Sequence, residues 1–575
     1  MSYLDLPRLC FSGKFQADVS TQNNDPGHYS PEVILNPWWN KMGSNFFQFG
    51  ECTVGSVTYA GGICEKTKAG DSVVTTPVIS TNDPQVAKMV DLDPEQQMTS
   101  ELWGLQLCIG DRDAGNYVLG NFRAVPFRDL TFKHVKPEGG MGGASASYLS
   151  VIDVLEWGTQ LSPAMSALKT AGGNLLSIRF IVDLFDAHAT SGDPDYIPNP
   201  NFTWGRVSGA IGPAKATEPR NFVVGRFLRT PPLLKTMIAD AIAAKTGRAE
   251  AAEPPKAPPA PSFNYAPAIV DTSTGRMSFD FGNSLSITPA GEPYPGMGTL
   301  QTAISGGAVI GEIPATKDDY LQRSWIYDFF DKNLANAAAD KPLTLLSNGK
   351  QALIENANGT YSDFTEWIYR ANPEDSPLNV TLMTMQWGKP LANQKVKIYN
   401  NSDNMLAPAD DNCQPPDQPA TNMPFNTSPG ISFPSDVTTG SDGTVTFQVT
   451  LADPGDPRDG LEGQVYAIAA NWDKEANPDP WIGVSILLHT GQPPVPDTPQ
   501  WETDILPIFA QYMKLYPFMQ DRMNLADEAT VIAGAKHIEK LLTMPISDPR
   551  FMPVTRDLSS VRLKTILKWL RAQQK

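Results

Sequence analysis

Short runs in which apolar and polar residues alternate recur along the first part of the chain. Leu6–Val19 places Leu9, Phe11 and Phe15 on one side of an extended backbone, and this period of two is typical of a half-buried strand. Glycine-containing turns separate further runs of the same kind. The pattern predicts a mainly β protein of short strands, with further strands at Cys52–Tyr59, Leu102–Ile109 and Leu175–Leu184.

Residues 376–490 predict a separate immunoglobulin-like β-sandwich. Apolar runs of strand length alternate here with turn signals such as Ser441–Gly443, as short strands joined by tight turns require. Residues 407–434 are rich in proline, aspartate and asparagine, so we expect an exposed loop there. The strands are predicted at Val380–Met385, Lys395–Tyr399, Thr444–Thr450, Gln464–Ala469 and Trp481–Leu488.

The period of the pattern changes to that of helices after residue 500. Apolar residues recur there every three or four positions, as expected of amphipathic helices. We predict three short helices: one from about Asp504 to Pro517, one after Asp527, and one capped by Ser559 or Ser560. Residues 501–575 are therefore predicted to form a small helical cap on the β modules.

Composition supplies the remaining boundaries. The Pro/Ala-rich stretch 248–262 contains Glu250–Pro261 and predicts an extended linker or a long surface insertion. It divides an N-terminal β-rich domain, 1–247, from a second β-rich part, 263–375. One helix is predicted in each of these two parts. The first part has an amphipathic helix at Pro232–Lys245, and the second has an aromatic helix at Asp318–Asn333.

Charge and cysteine usage exclude several classes of protein. The formal net charge of -17 disfavours nucleic acid and anionic membrane surfaces as partners. Proline (51) and glycine (45) together make up 96 of 575 residues, a larger share than the roughly 12% of average chains. This composition favours short strands joined by turns. Five cysteines without paired spacing predict neither a disulfide framework nor a zinc site. With no apolar run of membrane-spanning length and no leader-like start, a cytoplasmic protein is expected.

The sequence contains no motif for a catalytic centre, and its metal candidates are weak. Asp25 and His28 have a metal-ligand spacing but lie around Pro26–Gly27, where a turn is the simpler interpretation. The other candidate cluster consists of Asp91, Asp93 and Glu95. Clustered carboxylates suit a hard cation such as Ca²⁺, although Asp93–Pro94 is also a typical start of a turn or helix.

Two further features suggest binding. A mixture of aromatic and amide side chains is suited to a flat ligand, although the amides of a buried loop also satisfy backbone groups. The last predicted helix carries basic residues without an acid, which favours either an acidic partner or a solvated face. The pocket candidates are Trp38, Trp39, Asn40, Asn45 and Phe47, and the basic residues are Arg562, Lys564, Lys568, Arg571 and Lys575.

Spaced motifs occur over most of the chain. They comprise Leu6–Phe15, Asn23–His28, Asn40 with Gly43, Asn45 and Phe47, Val90–Asp91 with Asp93–Pro94, Gly225–Arg226 with Leu228, Tyr516–Met519 with Asp521, and Met552–Pro553 with Thr555–Arg556 and Leu558–Ser559. Together they resemble the N-terminal half of the VioB family, the imine-dimerising enzymes of the violacein pathway, which are relatives of the chromopyrrolate synthases. The resemblance implies that iron chemistry belongs to a following ferritin-like domain. Since Lys575 stands where that domain is expected to begin, we do not expect oxidative coupling from this chain.

Three hypotheses for function follow. The first is a non-catalytic binding or assembly protein, accessory to an oxidative secondary-metabolite pathway, with a ferritin-like or amino-acid-oxidase partner protein. The second is an oxidoreductase with a non-covalent haem or a metal such as iron, acting on indolepyruvate-imine-like substrates. The third is a carbohydrate- or cell-surface-binding β protein. No residue pattern predicts a cofactor, so the sequence favours the first.

Overall fold

The computed structural model describes residues 2–17, 45–81, 85–93, 100–131, 134–135, 141–142, 145–183, 204–230, 261, 263–288, 291–402, 430–455, 462–471, 483–515, 519 and 522–574. Within these ranges the chain is mainly β, with a helical region at the C-terminal end, as the alternation of apolar and polar residues predicts. The predicted helix at 232–245 and residues 250–260 of the proline-rich stretch lie outside the described residues.

A large curled sheet forms the N-terminal part. Thirteen strands follow the path β4-β7-β8-β13-β14-β15-β1-β2-β5-β6-β9, with β10 against β13 and β3 against β2, and β11 and β12 pair separately. The bounds are β1 Arg8–Ala17, β2 Phe46–Thr58, β3 Cys64–Glu65, β4 Val78–Ser80, β5 Ala87–Asp91, β6 Ser100–Trp103, β7 Gln106–Asp111, β8 Asn116–Phe122, β9 Val125–Pro126, β10 Arg128–Thr131, β11 His134–Val135, β12 Met141–Gly142, β13 Ser145–Trp157, helix α1 Pro163–Gly172, β14 Leu175–Asp183 and β15 Trp204–Pro213.

The curl of this sheet follows from its connections. Strand β9 ends the path, and β10 pairs with β13 in the middle of it. Because only Phe127 separates β9 from β10, the sheet must bend back on itself. Its inner face encloses an aromatic core in which the ring centroids of Phe49 and Phe180 are 5.2 Å apart. Met165 and Leu168 of α1 pack into the same core.

The second part contains two four-stranded sheets, β16-β17-β18-β21 and β20-β19-β22-β23. Strand β16 precedes the proline-rich stretch and pairs with β17 after it, so the sheet continues across the predicted linker. The bounds are β16 Arg226–Leu228, β17 Ala266–Asp271, β18 Arg276–Asp280, β19 Leu300–Ile304, β20 Val309–Ile313, α2 Lys317–Arg323, β21 Ile326–Phe330, α3 Lys332–Ala338, β22 Leu343–Ser347 and β23 Lys350–Ile354.

Residues with positive φ break two elements that the sequence predicts to be continuous. The single aromatic helix at Asp318–Asn333 is wrong: α2 ends before Ser324 (φ 55°) and Trp325 (φ 51°), and the following apolar run pairs as β21 with β18. The left-handed backbone at these two residues cannot continue a right-handed helix. The predicted strand Leu102–Ile109 is likewise divided into β6 and β7, because Gly104 has a φ of 69°.

Two sheets then pack as a β-sandwich, β24-β26-β31-β29 against β25-β33-β32-β28-β30. The structure confirms all five predicted strands, with shifted ends, and draws in β24 and β25 from before residue 376. The bounds are β24 Thr360–Phe364, β25 Ile368–Ala371, β26 Leu378–Gln386, β27 Lys389–Pro390, β28 Lys395–Asn400, β29 Ile431–Ser432, β30 Asp436–Thr438, β31 Thr444–Leu451, β32 Gln464–Asn471 and β33 Val484–Leu488.

The C-terminal cap has its own apolar core. A π-helical turn, Trp501–Ile505, leads into helix α4, and the second predicted helix is divided at Gly534. The side chain of Ser559, not Ser560, caps the last helix by accepting a hydrogen bond from the Arg562 amide at 3.2 Å. The bounds are α4 Leu506–Leu515, α5 Glu528–Ala533, α6 Ala535–Leu542 and α7 Ser560–Gln573.

Buried ion pairs join these parts. Arg179 of β14 pairs with Asp280 of β18, and Arg128 of β10 pairs with Asp363 of β24 at 2.8 Å. Buried charges require such partners, because an unpaired charge loses its hydration without compensation. The curled sheet is therefore fixed to both the second part and the sandwich. Among the described residues, no helix has the length and apolar character needed to cross a bilayer.

Candidate functional site

A cavity of about 500 Å³ lies between the helical cap and the part of the curled sheet around β5. Its size is within the usual range for pockets that bind small molecules. Most of the described residues that line it are apolar. They are Asn45, Gln85, Lys88, Phe509, Tyr512, Met519, Arg522, Met523, Leu525, His537, Ile538, Leu541, Leu542, Met552, Pro553, Val554, Leu558 and Ile566.

The sheet side of the cavity is polar. Strand β2 pairs with β5 so that Phe46 lies opposite Lys88, and the Asn45 carbonyl accepts a hydrogen bond from the Met89 amide at 2.8 Å. Neighbours on a strand point to opposite faces. Because Ala87 and Met89 pack on the aromatic core, Lys88 faces the cavity, with a side chain that is only 4% exposed.

The buried part of the cap side is apolar, whereas Arg522 and His537 of the cap line the cavity at exposed positions. Phe509 of α4, Ile538 of α6 and Ile566 of α7 are buried and belong to the core of the cap. Met523 and Met552 add flexible thioether side chains to the wall. Methionine adapts its shape to an irregular neighbour, so this wall can accommodate apolar groups of different outline.

The buried carboxyl group of Asp557 lies next to Tyr512, which lines the cavity. The Tyr512 hydroxyl donates to Asp557 at 3.0 Å, and the Thr555 hydroxyl donates to the same oxygen at 2.5 Å. Burial raises the pKa of Asp557, and the charge of Asp93 raises it further. Burial and the Asp557 charge also raise the pKa of Tyr512 well above its usual value. The tyrosine is therefore a neutral donor that points to Asp557.

A second buried carboxyl group connects the cap to the sandwich. Glu462, next to β32, lies 3.4 Å from the Arg562 guanidinium and accepts a hydrogen bond from the Ser559 amide at 3.4 Å. Burial raises the pKa of Glu462 to about 7, although Arg562 opposes this shift. The protonation state of Glu462 at this junction therefore changes near neutral pH.

The cap also contacts the curled sheet beside the cavity. The Arg556 guanidinium lies 4.7 Å from the centroid of the Trp103 ring, a distance that allows a cation–π interaction. At Gly104 a Cβ atom would come within 2.6 Å of Pro549, so the absence of a side chain permits this close approach. Arg370 of the sandwich pairs with Glu101 of β6. Sheet, sandwich and cap thus meet at β6.

The structure distributes the predicted site residues over different places. Asn45 lines the cavity, whereas Phe47 is fully buried in the aromatic core and is not among the described lining residues. Asp91 accepts a hydrogen bond from the Ser100 hydroxyl at 2.5 Å, and Asp93 is buried near Asp557. The predicted residues outside the described ranges are Asp25, His28, Trp38, Trp39, Asn40 and Glu95.

Within the described ranges, no group of three or more His, Cys, Asp or Glu side chains is arranged to hold a metal ion. Asp91 and Asp93 are therefore not part of such a group there. The described cysteines are free thiols, and burial raises the pKa of Cys52 to about 12. Of the four, Cys64 is exposed and Cys10, Cys52 and Cys108 are buried.

The basic residues of α7 bind acids and carbonyl groups of the same chain. Lys564 pairs with Glu374 of the sandwich at 3.1 Å, and Arg571 pairs with Glu539 of α6 at 2.7 Å. Lys568 donates to a backbone carbonyl at 2.7 Å. These contacts account for the basic face without an acidic partner protein. Lys575 lies outside the described residues.

Sequence reasoning missed three basic residues among the described residues that line the cavity, Lys88, Arg522 and His537. A signal for Lys88 was present, because its neighbours along the strand include Ala87, Met89 and Val90, and a lysine in an apolar strand is unusual. Arg522 and His537 are exposed in the structure. Nothing in the sequence around them distinguishes them from ordinary surface residues.

No family model and no curated protein sequence matches this chain. Among solved structures, the D00-D0 domain of Intimin aligns at 12% identity and a TM-score of 0.14, over 32% of this chain and 75% of that one. The D0-D1 domain of Intimin aligns at 12% identity and a TM-score of 0.14, over 37% of this chain and 89% of that one.

Proposed function

We propose that this protein is a non-catalytic binding protein that encloses a small, mainly apolar molecule between the curled sheet and the helical cap. The observation that carries the proposal is the cavity of about 500 Å³, with its mainly apolar lining and its few polar groups. Apolar walls supply affinity by burial, and a small number of polar groups orient the ligand.

The motifs that resemble the VioB family support this location. Although they are far apart in the sequence, several of their residues line the same cavity. These are Asn45, Met519, Met552, Pro553 and Leu558. We therefore propose that the chain acts as the counterpart of the front half of that family. It would hold a reactive intermediate of an oxidative secondary-metabolite pathway for a ferritin-like or amino-acid-oxidase partner.

A neutral fluorescent probe, N-phenyl-1-naphthylamine, tests the binding proposal. We expect one saturable site per chain. In the variant Leu541→Trp, an indole occupies part of the cavity, because Leu541 is a half-buried lining residue. We expect the affinity to fall about tenfold or more, since about 1.4 kcal/mol of lost burial has that effect.

Ile546→Trp is the matched control, because Ile546 is an exposed residue of the same cap. This variant should bind the probe like the wild-type protein. The proposal fails if the probe does not bind, or if Leu541→Trp and Ile546→Trp bind it equally well. A Soret band or stoichiometric iron in the purified protein would contradict the non-catalytic assignment and favour the oxidoreductase hypothesis.

A further inference from the structure

We propose that Asn45 selects the ligand of this cavity, and that the ligand is a neutral, mainly apolar molecule with an N–H group and a carbonyl group side by side, as in a cyclic amide. The inference rests on the proposed function and adds the chemical class of the ligand to it. It is carried by a buried carboxamide that lines the cavity and forms no hydrogen bond with a described residue.

The backbone of Asn45 is fixed at the sheet side of the cavity. Asn45 directly precedes β2, and its carbonyl accepts a hydrogen bond from the Met89 amide at 2.8 Å. Its φ of 57° is left-handed, a conformation that asparagine adopts more readily than most residues. The backbone contact uses the main-chain carbonyl and leaves the side-chain carboxamide for other partners.

The carboxamide of Asn45 has no hydrogen-bond partner within the described part of the chain, although the residue is only 2% exposed. A buried polar group without partners is unfavourable, because it has lost its hydration and gained nothing in exchange. Buried polar groups in native proteins therefore have partners in the large majority of cases. Since Asn45 lines the cavity, a bound molecule is in a position to supply the hydrogen bonds.

The charged and hydroxyl groups of the described lining have other partners or are hydrated. Lys88 and Arg522 interact with other groups of the chain, and the Tyr512 hydroxyl donates to the buried carboxyl group beside it. His537 is exposed, so water hydrates its imidazole. Among the described lining residues, Asn45 is thus the buried polar side chain that a ligand can satisfy.

The chemistry of a carboxamide indicates the polar edge of the ligand. It presents N–H donors and a carbonyl acceptor next to each other, and a cyclic amide presents the same two groups in the complementary order. Two hydrogen bonds then form without the cost of bringing a charge into the cavity. Gln85, half-buried before β5, adds a second carboxamide to the lining and also forms no hydrogen bond with a described residue.

The apolar part of the lining indicates the rest of the ligand. Phe509, Ile538 and Met552 line the cavity, and aromatic and thioether side chains pack well on flat rings. A sugar or another ligand with many hydroxyl groups needs more polar partners than the described lining offers. We therefore infer a ring system with one amide edge.

Two bicyclic molecules of nearly the same shape test the inference. One is 2-quinolone, which has the adjacent N–H and carbonyl groups, and the other is coumarin, which has a ring oxygen in place of the N–H. Displacement of bound N-phenyl-1-naphthylamine measures the affinity of each. We expect the wild-type protein to bind 2-quinolone about tenfold or more tightly, because coumarin leaves a buried group of Asn45 without a partner.

The variant Asn45→Gly removes the carboxamide and keeps the left-handed backbone, which glycine adopts without strain. We expect it to weaken the binding of 2-quinolone about tenfold and to leave that of coumarin almost unchanged. Asn393→Gly is the matched control, because Asn393 has the same φ of 57° in an exposed turn of the sandwich. This control should bind both molecules like the wild-type protein.

The inference is overturned if the wild-type protein binds the two molecules equally, if neither displaces the bound probe, or if Asn45→Gly and Asn393→Gly bind 2-quinolone alike. If N-phenyl-1-naphthylamine itself does not bind, the proposed function fails and the inference fails with it. Should Asn45→Gly not fold, the wild-type comparison decides: tighter binding of 2-quinolone supports the inference, and equal binding overturns it.

Discussion

At the scale of single residues, Glu462 is a buried carboxyl group whose charge changes near neutral pH. It lies between the sandwich and the cap, in contact with Arg562 and the Ser559 amide. Burial raises its pKa from 4.5 to about 7. The folded protein therefore retains a proton on Glu462 in the range where the unfolded chain has lost it, and folding becomes less favourable as pH rises through this range.

We predict that Glu462→Gln removes this part of the pH dependence. Between pH 5 and pH 8 the wild-type protein should lose up to about 3 kcal/mol of unfolding free energy relative to the variant, since one pKa unit corresponds to about 1.4 kcal/mol. Urea unfolding midpoints of both proteins at the two pH values measure this difference.

The matched control for this experiment is Glu312→Gln, which removes an exposed carboxylate of β20. Its difference from the wild type should stay constant with pH. If the curves of wild type and Glu462→Gln remain parallel from pH 5 to pH 8, Glu462 does not carry a proton in the folded state at pH 5 to 7.

Single residues of the site were only partly predictable. Asn45 was a pocket candidate because an amide beside aromatic residues suits a ligand, and it lines the cavity. The same argument selected Phe47, which instead packs against Phe15 and Phe180 in the core. Phe47 lies within β2, whereas Asn45 precedes the strand and has a positive φ of 57°. The pattern of residue types alone did not show this difference in backbone conformation, so it did not separate the two residues.

At the scale of elements, the start of α7 fixes the cap beside the cavity. Ser559 is fully buried and accepts a hydrogen bond from the Arg562 amide at 3.2 Å. A helix begins with amide groups that have no partner within the helix, and a serine cap satisfies one of them. Ile566 of the same helix lines the cavity, so the cap residue also positions a wall of the site.

We predict that Ser559→Ala lowers the unfolding free energy by about 1 kcal/mol, the usual effect of removing a serine cap. Thermal unfolding followed by circular dichroism measures it. Ser166→Ala, a change at an exposed position within α1, is the control and should not lower the unfolding free energy, because alanine has the higher helix propensity. Equal stability of the two variants would show that Ser559 does not act as a cap.

The periodicity of the sequence predicted most elements well, including the strands of the sandwich and the beginning of α7. It could not predict the break after α2. Ser324 and Trp325 adopt positive φ although neither is a glycine, and Arg179 of the curled sheet donates to the Ser324 hydroxyl at 2.8 Å. The turn depends on tertiary contacts that local pattern does not contain.

At the scale of the whole molecule, buried charges hold the β parts together. Arg179 of the curled sheet pairs with Asp280 of the second part, with side chains 4% and 5% exposed. The Tyr3 hydroxyl donates to the same carboxylate at 2.5 Å. Removing one member of a buried pair leaves the other charge without compensation, which is strongly destabilising.

We predict that Asp280→Ala lowers the unfolding free energy by about 3–5 kcal/mol. Urea unfolding monitored by tryptophan fluorescence measures the change. Asp113→Ala, which removes an exposed aspartate of a turn, should leave the midpoint almost unchanged. A similarly small shift for Asp280→Ala would contradict the role of this pair.

The arrangement of the parts was less predictable than the parts themselves. Strand β25 pairs in parallel with β33, more than a hundred residues later, and β16 pairs with β17 across the proline-rich stretch. The strand pattern suggests a boundary at residue 376 and composition suggests one at 248–262, but hydrogen bonds between distant strands cross both. The cavity arises from such long-range packing, because its walls come from β5 and the cap.

The most direct measurement of the central claim is a crystal structure of the protein with N-phenyl-1-naphthylamine. The account predicts density for one probe between the sheet and the cap, with its rings against Phe509 and Ile538. A probe bound elsewhere, with the cap packed directly on β5 and no cavity between them, would contradict it.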